Sequence, residues 1–316
     1  VSVRAAVVQC RVDPDAARQR ARVRGFLEEA RAAGARLVVL PELVFEPYPA
    51  QCARPEGHAR AEPVPGPATA WLGEECRRLG VTAVTSVFER RLPGLGHNTA
   101  VVVDARGRLA GIYRKMHIPD DPNFYEKYYF APGDLGFTPV RDGDLALGVL
   151  VCWDQWFPEA ARLMALAGAH LLLYPTAIGW DPRDSEAVRR AERSAWETVQ
   201  RAHAVANALP VLVANRIGHE DDPSGATPGL DFWGGSFVTD VFGGVTASAG
   251  DAEETILLAT IDPEATEKQR RRWPFLRDRR TDAYAGLLAR ASPAPGAEGA
   301  DESVSFATGR SPPSSR

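Results

Sequence analysis

Leu147-Gly148-Val149-Leu150-Val151-Cys152-Trp153-Asp154-Gln155-Trp156-Phe157-Pro158-Glu159 is the stretch on which the reading of this chain turns. The run before Cys152 is apolar and unbroken, as in a strand buried on both faces. Pro158 suits the first turn of a following helix, where a missing N–H costs nothing. Cys152 therefore falls in a strand-to-helix turn that resembles a nucleophile elbow, although the G-x-S-x-G pattern is absent because Asp154 stands two residues on. A thiol is slightly ionised at neutral pH and becomes a strong nucleophile when a neighbour takes its proton. By position alone Cys152 reads equally well as that nucleophile or as a small buried hydrophobe.

Two other segments end in the same way. Leu37-Val38-Val39-Leu40-Pro41-Glu42 is a short buried strand stopped by proline, and Gly111-Ile112-Tyr113-Arg114-Lys115 leads into Met116-His117-Ile118-Pro119. In α/β sheets, side chains at strand carboxyl ends line the binding crevice. Glu42 there is a candidate proton acceptor, or else a cap on the next turn. Lys115 is a candidate for stabilising a developing oxyanion, or else a surface lysine paired with Asp120 or Asp121. The Trp153 backbone N–H, next to the sulfur, would be the second oxyanion donor.

The rest of the chain supports an α/β fold. Strands are expected at Val3–Gln9, Val81–Glu89, Thr99–Asp104, Arg108–Arg114, His170–Tyr174, Pro210–Asn215, Ser236–Thr239 and Thr255–Ile261. Helices are expected at Asp15–Ala33, Pro67–Leu79, Pro158–Ala167 and from about Asp184 to Asn207. Such alternation buries sheets beneath helices. No linker interrupts it, so residues 1–290 read as one domain and the Pro/Ser/Gly-rich residues 291–316 as a flexible tail.

Composition narrows the function. The 316 residues carry 37 Lys+Arg against 41 Asp+Glu, a net charge of −4, which argues against a nucleic-acid binder. The basic run Arg270-Arg271-Arg272 therefore reads as a solvated or subunit-contact face, and Asp278-Arg279-Arg280 as structural ion pairs. Cys10, Cys52, Cys76 and Cys152 form no C-x-x-C pair, and the six histidines show no ligand spacing, so neither a metal nor another cofactor is expected. Cys10, Cys52 and Cys76 read as packing. No apolar stretch is long enough for a membrane span, and a cytoplasmic enzyme is the expectation.

Pro41-Glu42-Leu43, Tyr113-Arg114-Lys115-Met116-His117-Ile118 and Val151-Cys152-Trp153-Asp154-Gln155-Trp156-Phe157-Pro158-Glu159 resemble the three catalytic motifs of the nitrilase superfamily of carbon–nitrogen hydrolases. Further similarity lies in His117–Pro122, Tyr125–Asp134, Tyr174–Gly179, Ala214–Gly218 and Phe275–Arg280. The resemblance implies a four-layer α-β-β-α sandwich that pairs into a homodimer or larger homo-oligomer. It also implies Glu42 as general base, Lys115 as stabiliser of the tetrahedral intermediate, Cys152 as nucleophile and Glu126 as support for the lysine. Glu159 would serve local structure or the substrate.

Within the superfamily the runs are most similar to the branch that cleaves N-carbamoylputrescine to putrescine, ammonia and carbon dioxide, in polyamine synthesis from agmatine. That small ureido substrate carries an ammonium, which needs a carboxylate or an aromatic face. Asp120, Asp121, Asp154 and Asp181 are the candidate acids, with Tyr48, Phe124, Trp153, Trp156 and Trp180 as wall. One departure concerns the pocket mouth: the branch continues Phe-Glu after Pro-Glu-Leu, whereas this chain has Val44-Phe45. Another N-carbamoyl compound, such as a carbamoyl amino acid, or a simple aliphatic amide is the alternative substrate, and a carboxylate-bearing one would call for a Lys or Arg in the pocket. A non-catalytic scaffold is the alternative of another class, and the intact Glu42, Lys115 and Cys152 speak against it.

Overall fold

The computed structural model describes residues 2–291, so almost all of the expected 291–316 tail lies outside the described residues. The first half of the chain forms β1 (Val3–Gln9), α1 (Ala16–Ala32), β2 (Leu37–Val39), α2 (Pro67–Leu79), β3 (Thr82–Leu92), β4 (Leu95–Val103), β5 (Leu109–Arg114), β6 (Val140–Asp142) and β7 (Leu145–Val149). The second half forms α3 (Pro158–Leu166), β8 (Leu171–Pro175), β9 (Gly179–Trp180), α4 (Glu186–Asn207), β10 (Val211–Ala214), β11 (Ile217–Glu220), β12 (Leu230–Trp233), β13 (Phe237–Thr239), β14 (Val245–Ser248), β15 (Thr255–Ile261) and α5 (Pro263–Arg272).

Two six-stranded sheets form the centre, in the orders β15-β1-β2-β3-β4-β5 and β14-β13-β10-β8-β7-β6. In each, three parallel strands are flanked by antiparallel ones: β1, β2 and β3 in the first, β7, β8 and β10 in the second. Side-chain alternation explains the layering. Ala5 and Val7 of β1, with Val39, Val84 and Val102, join Leu147, Val149, Leu171 and Leu212 in one core between the sheets. Ala6, Val8, Val38 and Ala83 point the other way, onto Val23 and Leu27 of α1 and Leu72 and Cys76 of α2. On the far side Met164 of α3 and Trp196 and Ala204 of α4 pack on the outer face of the second sheet, where Trp196 meets Phe237 of β13 edge-on. The result is the expected four-layer α-β-β-α sandwich.

Caps set the helix ends. Asp15 accepts the Arg18 N–H at the start of α1, Ser185 does the same for Val188 in α4, and Gly80 ends α2 in the left-handed conformation at φ 66°. Three features depart from the sequence reading. The β3 strand continues to Leu92 as one arm of a hairpin with β4, with Arg90, Arg91 and Leu92 exposed. A third sheet, β11-β12-β9, stands beside the carboxyl ends of the central strands. The Arg270–Arg272 run lies on α5, and Arg270 turns inward to donate to the carbonyls of Asn207 and Ala169 rather than facing solvent.

The larger compact unit ends at Leu276. Beyond it, Thr281–Ala283 and Ala285–Leu288 are single 3-10 turns. Arg277 pairs with Asp278 at 2.7 Å and Arg280 with Asp282 at 2.6 Å, while Arg279 lies over the Tyr284 ring. These pairs are exposed, the kind that adds little stability.

Candidate active site

The carboxyl ends of β2, β5 and β7 bring Glu42, Lys115 and Cys152 to one place. Glu42 is fully buried and held by its backbone. Its N–H donates to the Thr176 carbonyl, Thr85 Oγ1 donates to the Pro41 carbonyl, and Leu43 N–H donates to Ser86 Oγ. Leu43 adopts φ 48°, a left-handed turn that costs a non-glycine residue energy and must be held from outside. Arg216, just beyond β10 and wholly buried, supplies that hold. Its guanidinium donates to the carbonyls of Glu42, Leu43 and Glu46 at 2.5–3.1 Å and pairs with Glu220 at 2.7 Å.

The Glu42 carboxylate is used asymmetrically. Oε1 accepts from Lys115 Nζ at 3.0 Å and from Asn98 Nδ2 at 2.6 Å, while the buried Oε2 has no partner among the described residues. Lys115 also donates to both oxygens of Glu126 at 2.8 Å, and the Tyr48 hydroxyl donates to Glu126 Oε1 at 2.6 Å. Burial alone would strip the charge from Lys115, but the Glu126 and Glu42 carboxylates reverse this and raise its pKa, so the ammonium is kept. Glu126 is raised by burial, against the pull of Lys115.

Cys152 opens a 3-10 turn, Cys152–Trp156, with φ 42°. A left-handed residue between a strand and a helix is the geometry of an elbow, and it lifts the thiol off the strand end toward a cavity. The thiol lies 3.8 Å from the Ala177 carbonyl. Burial raises its pKa, as does the Glu42 carboxylate, while Lys115 pulls it down. Burial and Glu42 thus favour the neutral thiol, and as a nucleophile Cys152 would need a base that removes its proton as the bond forms.

A cavity of about 580 Å³ opens beside the sulfur, lined by Cys152, Glu126, Trp153, Trp156, Phe124, Leu230 and Trp233 among others. Asp121, Asp181, Asp184 and Glu192 also line it, and among the described lining residues there is no Lys or Arg. Asp181 is already neutralised: Arg183 holds it at 2.5 and 2.8 Å, Asn123 adds a bond at 3.3 Å, and its pKa falls to about 2. Glu192 has a pKa raised by burial and by Asp184.

Several residues expected at the substrate lie elsewhere. Asp154 is fully buried and accepts from Tyr113, His117 and the Val151 N–H, leaving no oxygen for an ammonium. Asp120 and Glu159 are exposed and outside the lining, because a loop tip and a helix first turn favour solvated acids. Trp180 packs against Trp233 with ring centres 5.1 Å apart and is not part of the wall. Tyr48 stands behind Glu126 rather than in the cavity. Lys115 is buried among carboxylates, not a surface partner of Asp120 or Asp121. Val44 is buried in the core facing α1 and Phe45 meets Trp71 of α2 edge-on, so the departure after Leu43 faces the packing and not the cavity.

Sequence reasoning did not single out Asn98, Arg216 or Glu192. Asn98 and Arg216 act through folding contacts far apart in the chain; only the Ala214–Gly218 run, already noted for its similarity, marked Arg216.

The carbon–nitrogen hydrolase family model matches residues 4–271. An N-carbamoylputrescine amidase of Solanum lycopersicum is 40% identical over 265 residues, covering 83% of this chain and 87% of that one. A citrullinase of Francisella tularensis is 36% identical, covering 90% and 97%. Among solved structures, a carbon-nitrogen hydrolase from Helicobacter pylori G27 superposes with a TM-score of 0.89 at 46% identity, covering 92% of this chain and 99% of that one.

Proposed function

The chain belongs to the carbon–nitrogen hydrolase family, a C–N amide hydrolase by that membership, and on this premise we propose that it cleaves N-carbamoylputrescine. The observation that carries the substrate is the cavity beside Cys152, which is lined by Asp121, Asp184 and Glu192 besides the arginine-paired Asp181 and the lysine-paired Glu126 and, among the described lining residues, by no cation. Such a wall attracts an ammonium and repels a carboxylate. Citrulline and the carbamoyl amino acids carry a carboxylate that nothing in this lining would pair. Trp156, Trp233 and Phe124 suit the methylene chain between ureido group and ammonium.

In the proposed reaction Glu42 Oε2 takes the Cys152 proton as sulfur attacks the ureido carbonyl. Lys115 and the Trp153 N–H stabilise the oxyanion. Glu42 returns the proton to the terminal nitrogen, the C–N bond breaks and ammonia leaves, with an N-substituted thiocarbamate on sulfur. Glu42 then takes a proton from water, whose oxygen attacks the same carbon, and the C–S bond breaks. The thiolate regains its proton and the released carbamate decomposes to putrescine and carbon dioxide. Glu126 keeps Lys115 charged and aimed throughout. Asp121 and Glu192, whose carboxylates have no ion-pair partner among the described residues, are the acids best placed for the ammonium.

The reading extends to polyamine synthesis, to the cytoplasm and to a homo-oligomer. Exposed Leu163 and Leu166 on α3, with Val188 and Val205 on α4, support a subunit contact there. Among the described residues no helix is long and apolar enough to cross a membrane. Comparing kcat/KM for N-carbamoylputrescine, citrulline and N-carbamoyl-β-alanine tests the substrate. The cationic compound is expected to lead, and equal or better turnover of either acid would reject the assignment.

A further inference from the structure

Lys115 comes from one sheet and Cys152 from the other, so something must set their distance across the sandwich. A single carboxylate spans it. Asp154 Oδ1 accepts from the His117 backbone N–H at 3.0 Å and lies 2.7 Å from His117 Nδ1. Its Oδ2 accepts from the Tyr113 hydroxyl at 2.9 Å and from the Val151 N–H at 2.9 Å. Tyr113 and His117 stand two residues before and two after Lys115. Val151 and Asp154 stand one before and two after Cys152. The carboxylate thus brackets both reacting residues, and it is fully buried, where a charge is tolerated only with its acceptor sites filled.

We propose that Asp154 is a positioning residue that fixes Lys115 against Cys152 by tying the β5 loop to the nucleophile turn. This rests on the reading of Lys115 and Cys152 as the reacting pair. An amide at position 154 has one acceptor oxygen and one donor group. The donor must face either the His117 pair or the Tyr113 and Val151 pair, each of which includes a backbone N–H that cannot accept, so one of the two backbone anchors is lost. A displacement near 1 Å at a reacting group can cost ~10²-fold in rate.

The test compares the full-length protein with Asp154→Asn, Tyr113→Phe and His117→Phe, the last keeping a ring on Phe157, against which His117 stacks at 3.8 Å. Two readouts are taken: kcat and KM for N-carbamoylputrescine, and the pH profile of Cys152 alkylation by iodoacetamide, followed by peptide mass spectrometry. Asp154→Asn is expected to lower kcat by about 10²-fold with KM within about threefold. Its alkylation profile should move to higher pH, because the thiolate loses a neighbouring ammonium. The two ring variants should each show a smaller change of the same kind. A purely structural role would change the melting temperature and leave the alkylation midpoint where it is. The proposal is overturned if the alkylation profile is unmoved in all three variants, or if Asp154→Asn raises KM while kcat holds. Should Asp154→Asn not fold, the ring variants decide alone. The alkylation readout needs no substrate, so a wild-type enzyme that ignores N-carbamoylputrescine would reject the substrate assignment without touching this proposal.

Discussion

Replacing Glu42 by Gln tests its proposed role as the base. In the wild type Oε1 is occupied by Lys115 and Asn98, both donors, and Oε2 alone is free and buried. The glutamine carbonyl must stay with those donors, so its NH2 replaces Oε2 and presents a proton where one has to be accepted. General-base catalysis contributes ~10²–10⁴-fold, so kcat should fall by that factor, roughly 3–5 kcal/mol of barrier at ~1.4 kcal/mol per tenfold. The thiol should respond in the opposite sense. The Glu42 carboxylate raises the Cys152 pKa and Lys115 lowers it, so removing the carboxylate favours the thiolate. The assay pairs ammonia release with the rate of Cys152 alkylation at fixed pH. Turnover should collapse while alkylation holds or quickens. Turnover within about tenfold of wild type, well below the expected loss, would refute the assignment of the base, and so would slower alkylation in parallel with lost turnover.

Other substitutions test the surroundings. Arg216→Met leaves three loop carbonyls and Glu220 without their partner, and should destabilise the protein by about 3–5 kcal/mol in chemical denaturation and lower kcat. Glu192→Gln should raise KM for N-carbamoylputrescine about fivefold, the loss of roughly 1 kcal/mol of charge attraction, and leave KM for neutral N-butylurea unchanged. Glu46 has its pKa raised by burial from 4.5 to about 7, so the folded state holds its proton more tightly. Its contribution to stability is present below pH 4.5 and is lost as pH rises through 7; Glu46→Gln should therefore raise the melting temperature more at pH 8 than at pH 5.

Much of this was legible because local pattern and final position coincide. Val3–Gln9 alternates its two faces between two cores, and the strand appears at the expected residues. Glu42, Lys115 and Cys152 each follow a buried strand at its carboxyl end, so the topology alone gathers them. The remainder depends on contacts between distant segments. Asn98 lies mid-strand on β4 and reaches Glu42 only because β4 pairs beside β3. Asp154 looked available for substrate until Tyr113, His117 and Val151 closed around it. The α5 helix carries a single aliphatic side chain, Ala265, among charges, so no apolar periodicity announces it. The β9, β11 and β12 strands are only two to four residues long, too short for any pattern.

Turnover by Cys152→Ala tests the account most directly. The exchange removes one buried sulfur and changes volume little, so the melting temperature should stay close to wild type. Ammonia release from N-carbamoylputrescine should fall to background. Wild-type ammonia release by the folded alanine variant would contradict covalent catalysis at Cys152.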